Sequence, residues 1–168
     1  MSKNASYWIS KLNLSRHVEG GSFRETYRSP INIPSAVLPK GFAGDTSVST
    51  CIYFLLEQGQ FSAFHKINSD ECWHFYEGSQ LDIFEIDAKG ILTVHKLGRD
   101  LEAGESFQVV IKAGNWFASR VAFGGDYALV GCTVAPGFDF ADFELATSGS
   151  LSSKYPHHAS LIKTLTYS

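Results

Sequence analysis

GQFSAFHKINSDECWHFYEG, residues 59–78, places two histidines and several carboxylates between two glycines in a segment that otherwise alternates as β-strand. Asn68-Ser69-Asp70 has the composition of a three-residue hairpin loop. On that pairing Ile67 lies opposite Glu71, and His65 opposite Trp73. Strand side chains alternate with period two, so all four point to one face. His65 and Glu71 become diagonal neighbours with Cβ atoms roughly 7–8 Å apart, close enough to share an atom or a hydrogen bond. By the same parity His74 points to the opposite face, although it is near Glu71 in sequence.

The rest of the chain agrees with a β-rich domain. Its 168 residues fit one domain with a real core, 44% hydrophobic and 14% aromatic, with 18% charged. The net charge of −3 carries no basic run, which argues against a nucleic-acid partner. No apolar run approaches the ~20 residues of a membrane-spanning helix, and MSKNASYWISKLNL lacks the apolar core of a signal peptide. Cys51, Cys72 and Cys132 are an odd set without metal-type spacing; they read as reduced thiols of a cytoplasmic protein.

Residues 5–14, ASYWISKLNL, have the spacing of a short amphipathic helix. Gly20-Gly21 marks a sharp turn into the strand FRETYRS, and SPINIPSAVLPKGFAGD reads as an irregular arm. From residue 47 short β-branched and aromatic runs follow at close intervals, with Gly, Asn and Asp turns between them and no interleaved helices. That pattern indicates an antiparallel sandwich or barrel. The tail SSKYPHHASLIKTLTY carries Pro156 at a helix start, with Ala159, Ile162 and Leu165 on one face. The expected division is an N-terminal helix, strand and arm over 1–46, a barrel core over 47–136, and a C-terminal segment with a helix over 137–168.

Gly59, His65, Glu71 and Gly78 have the spacing of the first motif of the cupin superfamily, which this segment resembles. In cupins that motif usually reads H-x-H and, with a glutamate, binds a metal inside a jelly roll. Here Ile67 stands at the second histidine. The second cupin motif normally adds a histidine, and its nearest match, Lys112-Ala113-Gly114-Asn115-Trp116-Phe117, puts phenylalanine there. A closer resemblance covers almost the whole chain. RHVEGGSFRETYRS, FHKINSDECWHFYEG, LGRDLEAGESFQVVIKAGNWFAS, LVGCTVAPGFDFADFEL and YPHHASLIKTL are similar to an uncharacterised cupin family of RmlC-like jelly rolls. Val18 and Lys112 replace prolines usual in that family. The resemblance implies an all-β, cupin-type double-stranded β-helix with short N- and C-terminal helical additions, and a homodimer.

The candidate site centres on His65 and Glu71, with Ile67 and Phe117 where two metal ligands would be. No cofactor is required on this reading; a divalent metal, if held, would use His65 and Glu71. A carboxylate beside an imidazole raises its basicity and suits a general base. The dTDP-sugar epimerases share the cupin barrel, and that resemblance implies a histidine base with a tyrosine acid, for which Tyr53 and Tyr27 are the candidates. Arg24 is the candidate for gripping an anionic group, with Glu19 beside it. Trp73, Phe75, Trp116 and Phe117 are expected at inward or mouth positions. Cys132 is read as core. Two classes of function remain open: a pocket for a small anionic or sugar-like molecule, and an isomerase- or epimerase-like or metal enzyme.

Overall fold

The computed structural model describes residues 3–167. Helix α1 (Ala5–Leu12) precedes strands β1 (Ser15–Arg16), β2 (Ser22–Arg28), β3 (Asn32–Ile33) and β4 (Thr46–Ser47). Then come β5 (Thr50–Glu57), β6 (Phe61–Lys66), β7 (Asp70–Gly78), β8 (Leu81–Ile86) and β9 (Leu92–Leu97). β10 (Gln108–Ile111), β11 (Trp116–Val121), β12 (Tyr127–Ala135) and β13 (Glu144–Leu145) lead to helices α2 (Ser148–Lys154) and α3 (Ala159–Thr164).

The strands form a six-stranded sheet in the order β1-β2-β5-β12-β7-β10 and a five-stranded sheet in the order β13-β6-β11-β8-β9. β3 and β4 make a small separate ladder. The main ladders are antiparallel throughout. Phe54, Trp73, Val130 and Cys132 of the larger sheet pack with Leu81, Ile83, Phe117 and Val121 of the smaller one in a single buried core. Two facing antiparallel sheets with a shared interior are the jelly-roll solution to burying one face of each.

The hairpin expected at Asn68-Ser69-Asp70 does not form. β6 pairs with β11 and β13, whereas β7 pairs with β10 and β12. The segment between them crosses from one sheet to the other. His65 therefore lies opposite Phe117 and Leu145, and Trp73 opposite Cys132 and Val109. His65 and Glu71 still both face inward, but across the interior and not along one ladder. A short polar connection suits a hairpin and a corner between sheets equally, so its composition does not choose.

The outer face of the five-stranded sheet carries a second core. Phe64, Phe84, Ile86, Trp116 and Ala118 are covered by Leu151, Tyr155, Ile162 and Leu165 of the C-terminal segment. Thr147 caps α2 by accepting from the Ser150 amide at 3.3 Å. Pro156 opens a 3-10 turn that runs into α3. On the outer face of the six-stranded sheet Trp8, Ile9 and Leu12 of α1 pack on Leu55, Tyr127 and Leu129 of the central strands β5 and β12. Asn4 caps that helix, and Asn13 ends it in the left-handed conformation at φ 51°.

Candidate functional site

The turn between β1 and β2, His17-Val18-Glu19-Gly20-Gly21, folds over one end of the sandwich and sends a carboxylate inward. Gly20 has φ +113° and Gly21 φ +72°. A Cβ at Gly20 would overlap the Phe61 carbonyl oxygen, so this backbone path needs glycine. The loop is tied to β6 by the Ala63 amide, which donates to the Glu19 carbonyl at 2.7 Å. The Tyr167 hydroxyl donates to the same carbonyl at 3.1 Å.

Glu19 thereby reaches the interior with only 7% of its surface exposed. Its Oε1 accepts from the Ser62 hydroxyl at 2.9 Å, and its Oε2 lies 3.2 Å from His65 Nε2. Ser62 and His65 share the inner face despite being three residues apart, because β6 slips register against β11 between them. His65 Nδ1 lies 2.7 Å from the Ala63 carbonyl oxygen. A carbonyl only accepts, so Nδ1 carries the proton and neutral His65 presents a lone pair at Nε2. That lone pair faces the Glu19 carboxyl, and one proton must lie between them. Burial pushes His65 below 6.5, against the raising effects of Glu71 and the Ala63 carbonyl. Burial pushes Glu19 up, against the lowering effects of His17 and Ser62. Both directions favour neutral His65 with the shared proton on Glu19.

Glu71 approaches from β7, also 7% exposed. Its carboxyl is raised to about 7, first by burial and further by Glu19, while His65 and a hydrogen bond with Cys132 lower it. His17 completes the polar cluster. The Glu19 amide donates to its Nδ1 at 3.3 Å, and its ring stacks on Phe140 with centroids 5.8 Å apart. Burial lowers His17 as well, opposed by Glu19 and reinforced by His65.

These groups border a cavity of about 160 Å³. Phe23, Ile52, Ile67, Val134, Phe138 and Phe140 form its apolar walls. At its mouth Arg28 donates from Nε and Nη2 to the two Glu25 carboxylate oxygens, at 3.1 and 2.7 Å, and from Nη1 to the Phe138 carbonyl at 3.1 Å. An enclosed, mostly apolar space with a few convergent polar groups has the character of a small-molecule site.

The structure brings together His65, Glu71 and Glu19, and adds His17, Arg28 and Cys132. It separates Arg24, Tyr27 and Tyr53 from the cavity. Arg24 pairs with Tyr53 across β2 and β5, and its guanidinium lies 5.9 Å from that ring on the outer face of the six-stranded sheet. Tyr27 pairs with Cys51 on the same face. A register shift between Glu25 and Tyr27 rephases β2, so Arg28 turns inward and Arg24 does not. Trp73 and Phe117 are core residues, with the Phe117 ring 4.1 Å from that of His65. Phe75 packs at the edge of this core. Trp116 points away into the second core beneath the C-terminal helices. His74 is on the outer face, bonded to Thr133 at 3.0 Å and Gln108 at 2.9 Å.

His65 and Glu71 are not hydrogen-bonded to each other; the Ala63 carbonyl orients the imidazole instead. Ile67 and Phe117 offer no ligand atoms, and no group of three or more His, Cys, Asp or Glu side chains among the described residues is arranged to hold an ion. Sequence reasoning missed His17, although it stands two residues before Glu19 in the quoted RHVEGG stretch. It weighed Arg28 beside Arg24 and gave the ligand role to Arg24, whereas Arg28 is the one at the cavity.

The fold and the inward histidine–glutamate set define a cupin with an enclosed interior pocket. The family described as Cupin superfamily (DUF985) matches residues 6–146, and the chain belongs to it. An uncharacterised protein of Saccharomyces cerevisiae, YML079W, is 32% identical over 143 residues, covering 80% of this chain and 71% of that one. The crystal structure of protein SO0799 from Shewanella oneidensis is similar with a TM-score of 0.87 and 40% identity, over 99% of both chains. A hypothetical protein from Leishmania major gives 0.90 and 32% identity, over 98% and 99% of the two chains. Oxalate decarboxylase from Bacillus subtilis is similar in fold alone, at 0.54 and 14% identity, over 89% of this chain and 36% of that one.

Proposed function

We propose that this protein binds a small organic molecule in the cavity between its sheets, with no cofactor needed for binding. The observation that carries this is the enclosed volume of about 160 Å³ with apolar walls and a floor of Glu19, His65 and Glu71. A cavity of about 150 Å³ accepts a benzene-sized molecule. Benzyl alcohol is a suitable neutral probe. Ligand-observed NMR should show it binding, Val134→Phe should remove the signal by filling the cavity, and Phe138→Ala should weaken it by opening a wall. Binding unchanged in both variants, each checked for folding, would place the site elsewhere.

Proton transfer on the bound molecule is a second reading, favoured by the proton shared between Glu19 and His65 and by a Glu71 that stays protonated up to about 7. Groups held in opposite protonation states are the equipment of acid–base chemistry such as isomerisation or epimerisation. Tyr53 and Tyr27 lie outside the cavity, so Glu71 takes the role of acid. Deuterium exchange from solvent into carbonyl-activated sugar nucleotides, lost in His65→Asn, is the expected sign; no exchange across a panel would contradict it.

The open outer face of the six-stranded sheet is our candidate for contact between two copies. Tyr27, Tyr76, Phe107 and Val110 are 45–52% exposed there, beyond the patch of Leu55, Tyr127 and Leu129 that α1 covers. Three free cysteines suit a reducing compartment such as the cytoplasm. Among the described residues no helix is long and apolar enough to cross a membrane.

A further inference from the structure

Resting on the binding-pocket reading, we infer that the ligand is a cation, a small ammonium compound with an aromatic or aliphatic body, whose charged end meets Glu71. The groups around the cavity support this choice. Of the four carboxyl groups that border it, Glu25 is paired with Arg28 and Glu19 holds the proton it shares with His65, which leaves Glu71 and Asp139 to meet a ligand. Arg28 is already held by both oxygens of Glu25 and by the Phe138 carbonyl, and Asp139 also acts on its charge. It sits at the mouth with its charge balanced by Glu25. Arg24, the other arginine of this strand, is on the outer face.

Deeper in, the two imidazoles are kept neutral by burial. The interior therefore holds no positive charge to compensate a carboxylate or phosphate, and burying an uncompensated anion is costly. An ammonium meets the opposite situation. Glu71 is 93% buried, being 7% exposed, and borders the cavity. Among the described residues no nitrogen or oxygen donor is bonded to its carboxyl, which has the Cys132 thiol as its hydrogen-bonding neighbour. It is thus a buried acceptor that the protein leaves almost unpartnered, facing a space large enough for a ligand. Phe138 and Phe140, edge to face with centroids 5.0 Å apart, add aromatic surface to the wall.

The groups acting on Glu71 are His65 from β6, Glu19 from the β1–β2 turn and Cys132 from β12. His17 acts on Glu19 and His65 in turn. None is a fixed cation, so an ammonium ligand would be the first positive charge in the group. Its binding should drive the Glu71 proton off, and affinity should rise with pH until Glu71 is ionised.

The test compares benzylammonium, benzyl alcohol and phenylacetate, which share one ring, by NMR titration of the full chain at pH 6 and pH 8. The expected order at pH 8 is amine, then alcohol, then acid. The amine should gain about tenfold in affinity per pH unit below the Glu71 pKa, with the alcohol flat. Glu71→Gln should cost the amine at least tenfold at pH 8, cost the alcohol less than the amine, and abolish the pH dependence of amine binding. Tightest binding by phenylacetate would overturn the inference while leaving the pocket reading intact. So would an amine affinity that ignores both pH in the wild type and the Glu71→Gln change. Failure of all three probes to bind would overturn the pocket reading and this inference together.

Discussion

Glu19 Oε2 lies 3.2 Å from His65 Nε2, while the far nitrogen of the same ring is tied to its own strand through the Ala63 carbonyl. A loop residue and a strand residue 46 positions apart in sequence therefore share one proton. Nitrogen-15 NMR of the imidazoles should find His65 protonated at Nδ1 and bare at Nε2 above pH 6.5, becoming cationic only at lower pH. The opposite tautomer would break the geometric argument.

His65 and Glu71 should give stability two opposing limbs in pH. Burial depresses His65 below 6.5, so the unfolded chain takes up a proton that the folded one resists, and stability falls as pH falls below about 6.5. Glu71 is raised from 4.5 to about 7, so its contribution is full below 4.5 and is lost as pH rises through 7. That difference is on the order of 3 kcal/mol at pH 8. Chemical denaturation of Glu71→Gln should show a gain of that order at pH 8 and little change at pH 4.5. A Glu71→Gln gain at pH 8 no larger than the one at pH 4.5 would contradict the assignment.

Gly20→Ala should damage both fold and site. The backbone at φ +113° disfavours any side chain, and the new methyl meets the Phe61 carbonyl oxygen. Strain alone costs roughly 1–3 kcal/mol. Because Glu19 is the preceding residue, probe binding should fall more than the melting temperature implies. A fully stable Gly20→Ala protein with unchanged binding would show that the turn does not fix Glu19.

Association through the open sheet face is checked by light scattering. Phe107→Glu with Val110→Glu should convert a dimer to a monomer, since buried like charges on facing copies cost several kcal/mol. A wild type that is monomeric at high concentration would remove the proposal, as would a variant that remains dimeric.

Much of the architecture is legible because it rests on repeated local signals. Short β-branched runs broken by turns predict the sandwich, and the cupin spacing of Gly59, His65, Glu71 and Gly78 marks the inward pair. What escapes depends on register. Arg24 and Arg28 have the same parity in sequence, yet the shift after Glu25 turns only Arg28 toward the cavity. His65 and Ser62 have opposite parity, yet the slip in β6 puts both on Glu19. The crossing of residues 67–69 between sheets is likewise set by long-range pairing that local composition does not encode. Trp116 and Phe117 are adjacent aromatics, and only the presence of C-terminal helices decides that Trp116 is covered from outside.

We propose the space between Glu19, His65 and Glu71 as a binding site for an organic molecule. A crystal structure grown with benzylamine tests this most directly. The ring is expected against Phe138 and Phe140 with its nitrogen on the Glu71 carboxylate. A ring bound only on the outer sheet face, or a metal ion coordinated by His65 and Glu71 in its place, would contradict it.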